Sequence, residues 1–356
     1  MNIIYKLKES YNLSIWLDYL DKEILEILPN WVKERKIYGI TTNPTIFNSA
    51  INKSPQQYLQ NFVSINPFDI IENIMVEDVK KASEIMLPIF EETNKQDGLV
   101  SIEVPPYIAY NTEKTIEKAV SIWEKINMPN VMIKIPGTNE GIEAIKYLYS
   151  KNININVTLL FSIEKYHKVI KAYKESNTSS ISVASFFVSR VDTIIDDIIE
   201  KMKKSNIITE NYYKLIGKVA VANSLLAYKL YKSNFNNEKN VQRILWASTS
   251  TKNPSYNPLK YILELLTKDS INTIPLNTYQ TLINSDININ EYEILVQKNM
   301  EESEKTIQEL RKIVNLDYIL EELLYKGVSS FSDSYNSILY SVINNSMVKN
   351  EKLQSG

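Results

Sequence analysis

The chain has 356 residues, 44% of them hydrophobic, with a formal net charge of −2 and basic residues spread throughout. That supplies ample core for one large α/β domain or two ordinary ones, and it leaves no electrostatic footprint for nucleic acid or an anionic membrane. With no cysteine and a single histidine, His167, disulfides and thiol catalysis are excluded, no Cys/His zinc set can form, and a Ser-His-Asp triad could draw only on His167; lysines and carboxylates remain. The N-terminus shows no charged segment followed by an apolar one, and no stretch approaches 18 uninterrupted apolar residues, so neither a signal peptide nor a membrane span is expected and a cytoplasmic protein is.

Short apolar runs alternate with longer helical patterns from residue 12 to about residue 290, which predicts parallel strands joined by helical crossovers. The predicted strands are 13–18, 38–41, 99–104, 131–136, 153–158, 181–185, 243–248 and 271–275. Predicted helices include 68–93, 113–126, 140–149, 163–174 and 211–231, with apolar residues at three- and four-residue steps such as Ile116, Val120 and Trp123. Beyond the eighth strand the pattern is helical, with segments 303–314, 316–325 and 335–343 packed outside. No internal repeat or Pro/Gly/Ser-rich hinge interrupts the chain, so residues 1–356 read as one domain. Eight strand-then-helix units favour a closed (β/α)₈ TIM barrel over an open doubly wound sheet. The open sheet is the alternative, but no pair of the seven glycines has G-x-G spacing and there is no P-loop.

In a barrel the reactive groups come from the C-terminal ends of the strands. The first predicted strand ends at Asp18, with Ser14 and Trp16 on the same face. The second runs into Thr41-Thr42-Asn43-Pro44. The third carries Ser101 and Glu103, the fourth Met132, Lys134 and Pro136, and the fifth Asn156 and Thr158. Each has a bland reading: Asp18 as a helix cap, Asn43 as a turn former, Glu103 as a structural ion-pair partner, Lys134 as an edge-strand residue snorkelling to solvent. As a set at successive strand ends they converge on one mouth. A lysine inside an apolar strand tends to lose its proton and become a nucleophile. A neutral Lys134 could add to a ketone and dehydrate to an iminium, an electron sink for breaking the adjacent carbon–carbon bond. Carboxylates would move the protons and amide side chains would suit sugar hydroxyls, with no metal or cofactor required. Later in the chain Ser185, Arg190, Ser248, Ser250 and Lys252 lie at or after strands six and seven, where barrel loops often hold phosphate; Arg190 reads equally as a surface residue paired with Asp192 or Asp196.

Taken together, residues 14–18 (SIWLD), 39–47 (GITTNPTIF), 100–104 (VSIEV), 130–136 (NVMIKIP), 155–162 (INVTLLFS), 183–190 (VASFFVSR), 245–254 (LWASTSTKNP) and 272–275 (NTIP) resemble the transaldolase family, in particular its longer bacterial branch. The segments appear in the family's order, and the resemblance extends into the C-terminal helices. It implies a (β/α)₈ barrel that transfers a dihydroxyacetone unit from sedoheptulose 7-phosphate or fructose 6-phosphate to glyceraldehyde 3-phosphate or erythrose 4-phosphate in the non-oxidative pentose phosphate pathway. It makes Lys134 the Schiff-base lysine, Asp18 the acid/base at the hydroxyl across the cleaved bond, and Glu103 the acid/base that works with a water during imine formation. Thr41, Asn43, Asn156 and Thr158 match groups that orient donor hydroxyls or that water, Ser185 and Phe187 match pocket residues, and Arg190 matches the phosphate-binding arginine. The expected partners are phosphorylated sugars, with a homodimer also allowed.

Three departures stand out. After Glu103 the family has Val-Asp-Pro-Arg, whereas here Val104 is followed by Pro105-Pro106-Tyr107. Lys252 stands near the position of an arginine that follows a serine in a Ser-x-Arg phosphate contact, with Ser248 or Ser250 as that serine. Gly137 replaces a commoner alanine. Two other readings stay open at this point: a Schiff-base aldolase that releases free dihydroxyacetone, and a barrel that binds sugar phosphates without turnover.

Overall fold

The computed structural model describes residues 2–59, 66–236, 238 and 240–354, with side chains described through residue 345. Eight strands, β1 (Ser14–Leu17), β2 (Gly39–Thr41), β3 (Leu99–Glu103), β4 (Val131–Pro136), β5 (Ile155–Leu160), β6 (Ser182–Phe187), β7 (Gln242–Ala247) and β8 (Ile271–Ile274), pair in sequence order and close into a barrel. Every pairing is parallel, and β8 returns to β1 in the register Ser14↔Ile271 to Leu17↔Ile274. Because both faces are covered, every strand is buried along its whole length. This is why the strands read in the sequence as continuous apolar runs rather than alternating ones. The (β/α)₈ expectation is met.

The helices follow in chain order. Helix α1 (Ile3–Tyr11) precedes the barrel, α2 (Lys22–Lys33) follows β1, and α3 (Pro44–Lys53), α4 (Pro55–Leu59) and α5 (Pro67–Glu92) lie between β2 and β3. Then come α6 (Thr112–Ile126), α7 (Asn139–Ser150), α8 (Ile163–Ser176), α9 (Ser189–Lys204), α10 (Val219–Phe235), α11 (Lys260–Leu263) and α12 (Leu276–Ile283). Helices α13 (Asn290–Arg311) and α14 (Leu316–Gln354) complete the described chain. Several of the helices that leave the strands' C-terminal ends start on a side-chain cap: Asp21, Asn43, Asn111, Thr138 and Ser162 each accept a backbone N–H three residues on, at 2.8 to 3.1 Å. Each such cap is worth about 1 kcal/mol and fixes where the chain turns away from the mouth. At the opposite, N-terminal pole, the fully buried Asp97 accepts from Lys8 at 2.6 Å, Ser14 at 2.8 Å, Trp16 at 3.1 Å and Arg243 at 3.1 Å. The closed charge network there holds the barrel shut from below, leaving the other end for chemistry.

Some expected boundaries move. Strand β5 begins and ends two residues later than 153–158, and near its end its pairing with β6 shifts register between Val157 and Leu160, where Leu159 has φ +57°. The helix expected at 211–231 is a short 3₁₀ turn over Glu210–Leu215 followed by α10, broken where Gly217 takes φ +70°. The last two expected helices, 316–325 and 335–343, are one continuous α14. Among the described residues no helix is long and apolar enough to cross a membrane.

Candidate active site

A cavity of about 290 Å³ opens at the C-terminal end of the strands. It is lined by ten residues singled out from the sequence: Asp18, Thr41, Asn43, Lys134, Ser185, Phe187, Arg190, Ser248, Ser250 and Lys252. Glu103, Asn156 and Thr158 sit in its walls instead, one layer behind the lining.

Lys134 is the centre of this arrangement. On β4 it pairs in register with Glu103 of β3 on one side and Asn156 of β5 on the other, so three neighbouring strands present three polar groups at one level. Its ammonium is almost wholly enclosed. It donates to the Thr42 carbonyl at 3.1 Å and lies 3.5 Å from Glu103 Oε2. The snorkelling edge-strand reading therefore fails. The Glu103 carboxylate is fully buried and neither oxygen accepts a hydrogen bond from a described residue. Burial pushes its pKa up to about 7, against the Lys134 charge, which pulls it down; Asp18 raises it further and Arg190 lowers it. Glu103 is thus a carboxyl group able to give or take a proton near neutral pH, beside the amine.

Asp18 follows β1 and does not cap α2; Asp21 does that. It accepts instead from the Thr41 hydroxyl at 2.6 Å. Thr41 has a single proton to give, and Asp18 takes it. The 2.7 Å contact between Thr41 and Thr273 of β8 must then run from Thr273 to Thr41. This chain of donors fixes the carboxylate at the cavity wall. Asn43 satisfies both of its readings: its Oδ1 caps α3 by accepting from Ile46 N–H at 3.0 Å, Pro44 fills the first helical position, and the residue also lines the cavity.

Asn156 bridges strands. Its amide donates to Ser101 Oγ at 3.0 Å and accepts from Ser185 Oγ at 2.7 Å, so it orients Ser185, which does reach the cavity. Thr158 is fully buried and its hydroxyl has no partner among the described residues.

At the mouth the charge becomes positive. Asp192 is engaged by Ala220 N–H and the Tyr261 hydroxyl, and Asp196 by Gly217 N–H and the Tyr256 hydroxyl, so neither pairs with Arg190. Among the described residues no carboxylate lies within ion-pair distance of Arg190 or of Lys252. Burial lowers the pKa of both, and Lys252 is lowered further by the charge of Arg190. The half-buried Arg190 and the more exposed Lys252 thus line one cavity as like charges without a carboxylate partner, an arrangement that an anion would relieve. Lys252 donates to Ser250 Oγ at 3.0 Å, while Ser248, at φ +56°, shares a 3.0 Å hydroxyl contact with Ser189. Both serines reach the cavity.

The profile of the transaldolase/fructose-6-phosphate aldolase family matches residues 15–342. The chain belongs to that family. It is similar over nearly its full length to a transaldolase from Trichodesmium erythraeum (36% identical, 94% of this chain and 95% of the relative). It is likewise similar to transaldolase 2 of a Nostoc species (37%, covering 96% and 97%) and to a transaldolase from Mycolicibacterium smegmatis (35%, covering 92% and 93%).

Against this transaldolase background the altered segment after Glu103 is mild. Pro106–Ile108 forms a 3₁₀ turn whose Tyr107 points outward, edge-on to Phe68 at 5.9 Å and Tyr335 at 5.6 Å, and β3 stays in register with β4 through Glu103. Gly137 is matched to its neighbour, since a Cβ there would lie 2.6 Å from Leu160 Cδ2. Eight lining residues were not singled out from the sequence, Tyr19, Thr273 and Phe331 among them. Tyr19 adjoins one quoted segment and Thr273 lies within another. Phe331, on α14, carried no motif at all.

Proposed function

We propose that this enzyme transfers a dihydroxyacetone unit between phosphorylated sugars through a Schiff base on Lys134. The observation that carries the reading is the enclosed Lys134 amine with Glu103 at 3.5 Å, on the floor of a cavity whose wall holds Asp18 and whose mouth holds Arg190 and Lys252. The Lys134 nitrogen adds to the donor's ketone carbon, and Glu103 gives the proton with which the carbinolamine oxygen leaves as water. Asp18 then takes the proton of the hydroxyl across the scissile bond. That oxygen becomes the aldehyde's, the carbon–carbon bond breaks, and its electron pair moves into the iminium as an enamine on Lys134. The acceptor aldehyde is attacked by that enamine with Asp18 returning the proton, and hydrolysis of the new iminium frees the amine. Arg190 and Lys252, with Ser248 and Ser250, supply donors for the substrate phosphate.

We further read the substrates as sedoheptulose 7-phosphate or fructose 6-phosphate with an aldose phosphate acceptor, the setting as cytoplasmic, and the chain as one barrel domain. The test is a coupled assay of fructose 6-phosphate with and without erythrose 4-phosphate. Beyond one equivalent per enzyme, glyceraldehyde 3-phosphate should form only when the acceptor is present. Free dihydroxyacetone accumulating without acceptor would make the enzyme an aldolase, and substrate binding without product would make it a binding protein.

A further inference from the structure

The Arg190 guanidinium is held in an unusual way. It is half-buried, yet no hydrogen bond or ion pair to another described residue anchors it. What it does touch is aromatic: it lies over the Phe187 ring at 5.5 Å and over the Phe331 ring at 6.0 Å. Phe187 belongs to β6, three residues before Arg190. Phe331 comes from α14, far along the chain, and is itself 4% exposed.

The seat of α14 explains how Phe331 reaches the cavity. One turn earlier, Gly327 packs so closely that a Cβ there would lie 2.7 Å from Leu159 Cδ2 and 3.5 Å from Arg190 Nη1. Leu159 is the residue at φ +57° inside the register shift of β5, buried with its side chain against that glycine. Residues four apart share a helix face, so Gly327 on Leu159 delivers Phe331 onto Arg190.

We propose that Phe331 is a positioning residue: its ring, together with that of Phe187, aims the Arg190 guanidinium into the cavity, and α14 thereby completes the anion site of the barrel. The inference rests on the phosphosugar reading of this cavity and deepens it. An arginine without fixed partners keeps rotamer freedom that ligand binding must remove; two ring faces attract the guanidinium without consuming its five N–H donors, which stay available to an oxyanion. A leucine at 331 would fill similar space but carries no π face.

The test compares Phe331→Leu, Phe331→Tyr and, as an α14 control on an exposed position, Tyr340→Ala. Three quantities are read: affinity for inorganic phosphate by calorimetry, KM for fructose 6-phosphate, and borohydride trapping of dihydroxyacetone, which has no phosphate, on Lys134. Phe331→Leu should weaken phosphate binding and raise KM by roughly five- to twentyfold, with trapping unchanged; Phe331→Tyr and Tyr340→Ala should match the wild type. Phosphate affinity within twofold of wild type in Phe331→Leu would overturn the proposal. So would equal losses in Phe331→Leu and Phe331→Tyr, or a drop in dihydroxyacetone trapping, since those mark general disruption. Wild-type enzyme that binds phosphate but does not turn over fructose 6-phosphate would defeat the transferase reading alone, and the phosphate affinities of the variants would still decide this one.

Discussion

Replacing Glu103 by glutamine separates the two things a buried carboxyl does here. Burial raises its pKa from 4.5 to about 7 even with the Lys134 ammonium 3.5 Å away. In the unfolded chain the group ionises near its ordinary value, whereas in the native state it keeps its proton until about pH 7. Between those values the folded protein holds the extra proton, so stability declines as pH rises through this window. At about 1.36 kcal/mol per pH unit, the full decline is about 3 kcal/mol, complete above the folded value and absent below the unfolded one. Glutamine cannot ionise. Glu103→Gln should therefore gain stability relative to wild type as pH climbs from about 4.5 to 7, by at most that figure, because Lys134 gives up its partner at the same time. Activity should move the other way: kcat/KM falls by roughly 10²–10³-fold, and the wild-type inflection near neutral pH disappears. Urea unfolding at several pH values and a pH–rate profile measure both. An unchanged inflection in the variant, or a stability difference that does not grow with pH, would refute the assignment of Glu103 as the proton-transfer group beside the amine.

Other consequences follow from the same geometry. Arg190→Met should raise KM for phosphorylated donors by roughly a hundredfold, a loss of about 2 to 3 kcal/mol of charge-assisted hydrogen bonding, while dihydroxyacetone trapping on Lys134 persists; a steady-state comparison with and without the phosphate group checks it. Thr273→Val removes the donor to Thr41 and should lower kcat by about tenfold with KM for the donor little changed, since Asp18 loses its support rather than the substrate its contacts; pre-formed Schiff base should still accumulate in borohydride trapping. Asp192, which does not line the cavity, has its pKa pushed up to about 7 by burial and by Asp196, against the donors Ala220 N–H and Tyr261. It too makes stability fall as pH rises from its ordinary value to about 7, so Asp192→Asn should flatten that part of the thermal-stability curve without changing kcat/KM.

The strands were legible because each is covered on both faces and bounded by turn residues, a pattern that survives in sequence even where the helices between are ambiguous. The C-terminal helices were not. Residues 326–334, KGVSSFSDS, read as a break because glycine and serines punctuate them. In the structure Gly327 is there to let α14 press on Leu159, and the helix runs on through it. That misreading hid Phe331. The strand-end polar residues were found by position, but position alone could not say which face the cavity and which support it. Asn156 and Thr158 are fully buried and do not line the cavity, and Asn156 spends both ends of its amide on Ser101 and Ser185. Nor could spacing show that the carboxylates near Arg190 were already engaged elsewhere, which only the packing of α9 against α10 and the 251–261 segment reveals.

The central claim is that Lys134 carries the substrate covalently. Incubation with fructose 6-phosphate and borohydride, followed by peptide mass spectrometry, tests it most directly. A reduced three-carbon adduct on Lys134, absent in Lys134→Ala, is the predicted result; no adduct, or one that persists in that variant, would contradict it.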